Sequence, residues 1–153
     1  MVGVGPNQRM DRMNGLELAF PNLPITGYRI TSPTDPFYNC AAWAVAESDR
    51  WWWPDSMGVG YWPAGVPRVE TLDAFVQAYA TLGYTPVDKP TTLTGYPWVA
   101  IYAKAGIPTH VCRQLPNGLW TSKLGNAEDI EHALEGLSGA VYGTVAMILE
   151  RSE

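Results

Sequence analysis

The chain has 153 residues, of which 46% are hydrophobic and 16% charged, a composition typical of one globular domain. Its net charge is −5 and its ten Lys and Arg residues form no run, which argues against a nucleic-acid-binding face and against binding to an acidic membrane surface. The sequence contains no apolar stretch approaching the roughly 20 residues that span a bilayer. We therefore expect neither nucleic acid nor membrane as a partner.

The N-terminal segment, residues 1–19, is predicted to be a flexible leader to a single domain over residues 20–153. Its polar start lacks the apolar region of a secretory signal peptide. We expect a protein that stays in the cytoplasm or is exported without such a signal. The two cysteines, Cys40 and Cys112, do not form a disulfide framework, although one bridge between them stays open.

The first half of the chain predicts two helices. Residues 21–37 hold four prolines and are expected to be extended and irregular. A helix is predicted over about residues 39–49, because Asn39 is a favoured N-cap and alanines follow it. Residues 51–69, rich in aromatic residues and proline, indicate a long structured loop.

The second predicted helix covers residues 70–84, where apolar side chains recur every three or four residues. Thr71 is its candidate N-cap and Gly83 its candidate stop signal. Together with the strands predicted after it, the two helices indicate an α+β fold, in which N-terminal helices pack on a mostly antiparallel sheet.

The second half of the chain is predicted to be mainly β-structure. Strands are predicted at residues 98–104, 108–115 and 119–125 and at the C-terminus, with a short helix at residues 126–137. A two-residue turn at Asn117-Gly118 is predicted to close a hairpin, which pairs Pro116 with Leu119 and places His110 opposite Gly125.

The chemistry of the chain is predicted to reside in Cys40 and His110. Cys40 opens the first predicted helix, where the helix dipole and unpaired N–H groups lower a thiol pKa. His110 lies on a strand and is the candidate base of a Cys–His dyad. In the predicted register, Asn126 and Asp129 are the nearest residues that could orient His110.

The residues around this dyad have predicted roles in binding. The backbone N–H of Cys40, with Asn39 or Tyr38 as a side-chain donor, is the candidate oxyanion hole. An aromatic wall is predicted from Trp51, Trp52, Trp53, Tyr61 and Trp62. Ser122 and Lys123 are candidate substrate contacts.

The same residues are compatible with other roles. Cys40 is also compatible with a small core residue, because free cysteine is often buried. Cys112 is a rival nucleophile, but a thiol within a strand lacks a helix dipole. His132 suits a surface or capping role. The tryptophans suit either core packing or a sugar- or protein-binding surface. Zinc-type spacing, phosphate-binding loops and dinucleotide fingerprints are missing from the sequence, so we predict no metal and no cofactor.

The motifs YNCAAWA, WWWP, YWP, THVCRQLPNGLWTSKLG, DIEH and YG, in this order, resemble an uncharacterised bacterial domain family over roughly residues 20–151. More loosely, a helix-borne Cys, a strand-borne His and then a polar residue are similar to papain-like and NlpC/P60-like cysteine hydrolases. The second resemblance implies a helix whose N-terminus packs against an antiparallel sheet, with Cys40 as nucleophile and His110 as base.

The expected function is a small cysteine hydrolase that cleaves or transfers an amide through a thioester. A peptide, a protein or a peptidoglycan-type cross-bridge are the expected substrates, and a glutamine side chain is a further candidate. Two alternatives stay open: a non-catalytic binding domain whose aromatic loop contacts a sugar or protein, and an effector or toxin module.

Overall fold

The computed structural model describes residues 15–87, 98–124 and 128–151. Residues 15–19 are helical, and the further helices are α1 (Leu23–Thr26), α2 (Cys40–Trp43) and α3 (Leu72–Ala80), followed by a 3₁₀ helix at Leu134–Leu137. Its strands are β1 (Tyr28–Ile30), β2 (Tyr84–Val87), β3 (Trp98–Lys104), β4 (Ile107–Gln114), β5 (Trp120–Lys123), β6 (Asp129–His132) and β7 (Thr144–Arg151). The predicted α+β class is therefore confirmed.

These seven strands form one sheet in the order β1-β6-β5-β4-β3-β7-β2, and each neighbouring pair is antiparallel. Pro86 lies in β2, where the missing N–H is tolerated because β2 is an edge strand. None of the helices in the described ranges is long and apolar enough to cross a membrane.

Alternation along β3 and β4 divides the core between the two faces of the sheet. One face carries Val99, Ile101 and Val111 and packs against α2, α3 and buried aromatic rings. The other face carries Ala100 and Cys112 and packs against residues 16–23 and the region around the 3₁₀ helix. Both faces are covered, so the side of a strand on which a residue lies decides which half of the core it joins.

The helix that begins at Cys40 is much shorter than the predicted residues 39–49. It ends after Trp43, and Ala46 adopts a left-handed backbone with φ 60°. The N–H of Glu47 then bonds to the carbonyl of Ala42, which closes the turn as a C-cap does. Helix-forming alanines are overridden here because the chain turns toward the loop that contains Trp52.

The hairpin between β4 and β5 is shifted by one residue from the predicted register. Leu115 N–H bonds to Leu119 O at 2.7 Å across a three-residue loop, and Gly118 has φ 89°. Gln114 therefore pairs with Trp120. A shift of one residue exchanges the faces of a whole strand, so Ser122 joins the face that His110 occupies.

The predicted helix at residues 126–137 is wrong. Residues Asp129–His132 form β6, which fills the gap between β1 and β5, and only Leu134–Leu137 is helical, as a 3₁₀ turn. The acidic start favours a helix locally, but pairing with two strands outweighs that preference.

Other elements differ less from expectation. The strand at residues 98–104 is confirmed, and α3 is confirmed in shorter form, with the Thr71 hydroxyl accepting a hydrogen bond from Ala74 N–H. Gly83 has φ 92° at the turn into β2. The helix α1 and strand β1 lie in residues 21–37, which were expected to be irregular throughout.

Candidate functional site

A cleft of about 890 Å³ opens beside the N-terminus of α2. Its wall is built mainly from the residues that precede α2, from the aromatic loop and from the turn before β7. The lining residues are Pro36, Phe37, Asn39, Cys40, Arg50, Trp51, Trp53, Asp55, Val59, Gly60, Thr109 and Tyr142. Cys40, which is 7% exposed, is the one thiol among them.

Asn39 fixes the position of Cys40 from both sides. Its side-chain oxygen accepts hydrogen bonds from the N–H groups of Ala42 at 3.2 Å and Trp52 at 3.0 Å. Its amide nitrogen donates to Trp52 O at 2.8 Å. The predicted N-cap is therefore present, and the same side chain attaches α2 to the aromatic loop.

Burial raises the pKa of the Cys40 thiol to about 11. Hydrogen bonds from the backbone N–H groups of Val111, Ala41 and Cys40 itself, and the charge of Lys123, offset only part of that rise. This is opposite to the lowered pKa expected from the sequence. The helix has four residues, so its dipole is too small to outweigh the loss of hydration.

His110 is fully buried and bonded within a chain of three polar side chains. Its Nε2 atom lies 2.8 Å from Ser122 Oγ, which lies 2.7 Å from His132 Nε2. His132 Nδ1 lies 2.7 Å from the carbonyl oxygen of Ala133. Instead of the surface or capping role expected from the sequence, His132 has a place in the core, at 1% exposure.

The hydrogen-bond partners of His132, Ser122 and His110 determine which of their atoms carry protons. A carbonyl only accepts, so His132 Nδ1 carries a proton and its Nε2 accepts from the Ser122 hydroxyl. Ser122 Oγ then accepts from His110 Nε2–H. Burial lowers the pKa of His132 to about 4 and that of His110 well below its usual value, so both rings are neutral near pH 7. His110 Nδ1 is left as an unprotonated acceptor.

Cys40 and His110 share no hydrogen bond, and they lie on opposite faces of the sheet, Cys40 on the face that packs against α2 and His110 on the face of Cys112. His110 Nδ1 is buried and has no hydrogen-bond partner in the described part of the chain, while the backbone N–H of Val111, the residue after His110, acts to lower the pKa of the Cys40 thiol. Pairing of β4 with β5 is limited to Arg113 and Gln114, so the strand edge beside Val111 is open.

Tyr142 connects the cleft to His110, and the sequence assigned it no role. Its ring lines the cleft and stacks on the His110 imidazole with centroids 4.2 Å apart and planes 7° apart. Its carbonyl accepts from the Thr109 hydroxyl at 2.5 Å. Two hydrogen bonds between Gly139 and Gly143 close the loop that contains Tyr142. The YG pair in the sequence was the available signal, but no periodicity places its ring.

The predicted orienting residue Asp129 is bonded elsewhere. Its carboxylate accepts from the Tyr38 hydroxyl at 2.7 Å, so Ser122 instead occupies the place beside His110. The register shift explains this difference, since Asp129 pairs with Lys123 on the opposite face of the sheet. Asn126, the other predicted orienting residue, lies outside the described residues.

Lys123, predicted to contact substrate, is fully buried. Its ammonium donates to Asp35 O at 2.5 Å and lies 4.9 Å from the centre of the Tyr38 ring. Tyr38 is 5% exposed and does not line the cleft. These side chains hold the segment that leads into α2, which makes them supports of the cleft rather than parts of its wall.

The predicted aromatic wall is divided between cleft and core. Trp51 and Trp53 line the cleft. Trp52 and Trp62 are 1% and 6% exposed and pack in the core, because the loop folds back over α3. Tyr61 lies against the guanidinium of Arg50, with the Arg50 Cζ atom 3.6 Å from its ring centre.

Within the described residues, both cysteines are free, and no group of three or more His, Cys, Asp and Glu side chains is arranged to hold a metal ion. Comparison with family models identifies a domain of unknown function, DUF7689, over residues 29–150. Comparisons with curated proteins and with solved structures give no match.

Proposed function

The chain belongs to the DUF7689 family, and we propose that it is a thiol-dependent hydrolase that cleaves or transfers an amide at Cys40. One observation supports this proposal most directly. Cys40 lines the cleft together with Tyr142, and the Tyr142 ring stacks on His110, whose buried Nδ1 has no hydrogen-bond partner within the described residues. A buried acceptor left unbonded costs free energy, and a thiol proton would satisfy it.

The reaction begins from a neutral thiol and a neutral imidazole. Substrate binding brings Sγ and Nδ1 to hydrogen-bond distance, a contact that is often long in unliganded enzymes. As Sγ attacks the carbonyl carbon and forms the S–C bond, its proton moves to His110 Nδ1. The Cys40 backbone N–H is the proposed donor to the developing oxyanion.

The same proton completes the first half of the reaction. His110 gives it to the amide nitrogen as the C–N bond breaks, which releases the amine and leaves a thioester on Cys40. Water then attacks the thioester with its proton taken by Nδ1, and the acid leaves as that proton returns to the sulfur. Ser122 holds His110 throughout, by accepting its Nε2–H.

This proposal includes the more distant relationship to papain-like and NlpC/P60-like cysteine hydrolases. The chain order of Cys40 on a helix, His110 on a strand and then the polar Ser122 supports it. A cytoplasmic location or export without a signal peptide, and use as an effector, are compatible with the same chemistry.

Acyl transfer from an activated p-nitrophenyl ester tests the proposal. Intact-mass spectrometry should show one acyl group on the protein, and peptide mapping should place it on Cys40. Cys112→Ala should retain the adduct, Cys40→Ala should lose it, and His110→Gln should form it at least about tenfold more slowly. An adduct that forms equally in His110→Gln would refute the dyad.

The aromatic cleft also supports a second candidate, a binding domain without catalysis. Phe37 is 71% exposed and Trp51 39% exposed at the cleft, as expected of a surface that stacks on a ligand. In that case Cys40→Ala would bind the ligand unchanged, and no acyl adduct would form on the native protein.

A further inference from the structure

We propose that the cleft selects amides that carry a bulky, uncharged apolar group, a statement that rests on the proposed hydrolase function and defines its substrate class. A cleft for sugars or polar peptides needs unoccupied donors and acceptors on its wall, because desolvated polar groups of the ligand need partners. The polar atoms of this wall are largely occupied by the protein itself.

The two indole N–H groups of the wall have internal acceptors. Trp51 Nε1 donates to Pro36 O at 2.6 Å, and Trp53 Nε1 donates to a Glu70 carboxylate oxygen at 3.1 Å. Both rings therefore present carbon surface to a ligand, with their hydrogen-bonding edges already satisfied.

Three further polar side chains of the wall are committed in the same way. The Asp55 carboxylate accepts from Val59 N at 2.8 Å and Gly60 N at 2.7 Å. The Thr109 hydroxyl donates to a backbone carbonyl of Tyr142, and the Asn39 amide bonds to backbone atoms on both sides. A carbohydrate in this cleft would find few direct partners for its hydroxyl groups.

The cleft has exposed apolar side chains, and Arg50 is the one cation among its described lining residues. Phe37 and Val59 are 71% and 88% exposed. Arg50 bonds through Nε to Glu47 at 2.7 Å and lies over Tyr61, so the Glu47 carboxylate offsets its charge. Burial of a ligand's apolar group against these side chains is favourable, whereas a ligand ammonium would lose hydration at a wall whose Asp55 carboxylate already accepts from two backbone N–H groups.

Alkylation of Cys40 by three iodoacetamides measures this selectivity without requiring turnover. The reagents are N-benzyl-iodoacetamide, unsubstituted iodoacetamide and N-(2-aminoethyl)-iodoacetamide, and each rate is divided by that of the same reagent with glutathione. Peptide mapping assigns each adduct to Cys40. We expect the benzyl reagent to react at least about tenfold faster than iodoacetamide, and the aminoethyl reagent to be slowest.

Phe37→Ser tests the wall, and Ile25→Ser is its matched control, since Ile25 is 79% exposed and does not line the cleft. Phe37→Ser should lower the benzyl preference at least about threefold, and Ile25→Ser should leave it unchanged. Equal normalised rates for the three reagents, or equal effects of the two variants, would overturn the substrate class and leave the hydrolase intact. A Cys40 that reacts with none of them and accepts no acyl group would overturn both.

Discussion

The imidazole of His110 lies parallel to the phenol ring of Tyr142, with centroids 4.2 Å apart and planes 7° apart. Tyr142 lines the cleft that contains Cys40, so its ring contacts both the cleft and the buried histidine. The position of His110 consequently depends on the loop that carries Tyr142, and the backbone of that loop can be tested directly.

Gly143→Ala should displace this loop. A Cβ at Gly143 would lie 2.1 Å from Ala103 O, and the residue also has φ 76°. We expect a loss of about 3 kcal/mol or more in the free energy of unfolding, from steric overlap and left-handed strain together. Urea denaturation measures it. Gly106→Ala is the control, because φ is 79° there but its Cβ would meet nothing within 4 Å. Gly106→Ala should lower the free energy of unfolding by about 1 kcal/mol. Similar losses in the two variants would contradict the close contact between Gly143 and Ala103.

Ser122→Ala should change the proton position on His110. Without the hydroxyl, the Nε2–H group of His110 loses its hydrogen-bond acceptor, so the tautomer protonated on Nε2 is no longer favoured over the one protonated on Nδ1. The ¹⁵N chemical shifts of the ring nitrogens report which one is protonated. We expect a protonated Nε2 and an unprotonated Nδ1 in the native protein, and a mixture of tautomers in Ser122→Ala. Ser122→Thr, which keeps a hydroxyl, is the control. A native ring protonated on Nδ1 would refute the proton assignment.

The stability of the protein should fall as the pH is lowered from 7 to 5. Burial lowers the pKa of His132 to about 4, whereas an unfolded histidine titrates near 6.5. Between these values the unfolded chain binds a proton that the folded chain does not, so the free energy of unfolding decreases as the pH falls. This histidine alone should account for about 2 kcal/mol of the decrease by pH 5.

Urea unfolding of the native protein and His132→Gln at pH 7 and pH 5 isolates this effect. Burial raises the pKa of Asp129, which works in the opposite direction, so the difference between the two proteins is the useful quantity. His132→Gln should lose about 2 kcal/mol less than the native protein over this range. Parallel losses in both would show that His132 is not held neutral by the fold.

The sequence predicted the parts of the fold that depend on local pattern. The apolar repeat of α3, the strand at residues 98–104 and the Asn39 N-cap all follow from side chains within one or two turns of each other. The strand β6 could not be predicted in this way, because its acidic residues favour a helix locally and only pairing with β1 and β5 makes it a strand.

In the candidate site, a register error of one residue was enough to change the predicted roles. Cys40 and His110 were identified by residue type and chain order, whereas Ser122 received a different role because the predicted turn had two residues instead of three. That single residue decides whether Ser122 or Lys123 shares a face with His110. Tyr142 and His132 could not be predicted, since the contact of Tyr142 with His110 joins separate segments of the chain and that of His132 with Ser122 depends on a strand that was predicted as a helix.

Tyr38→Phe should destabilise the segment that leads into Cys40. The Tyr38 hydroxyl donates to an Asp129 carboxylate oxygen at 2.7 Å in a buried setting, and losing a hydrogen bond to such a group costs about 2 kcal/mol. Tyr28→Phe is the matched control, since the Tyr28 hydroxyl is buried without a hydrogen-bond partner in the described residues. Its removal should change the free energy of unfolding by less than about 0.5 kcal/mol. Urea denaturation of both variants at pH 7 makes the comparison, and equal effects would mean that the Tyr38–Asp129 bond does not hold this segment in place.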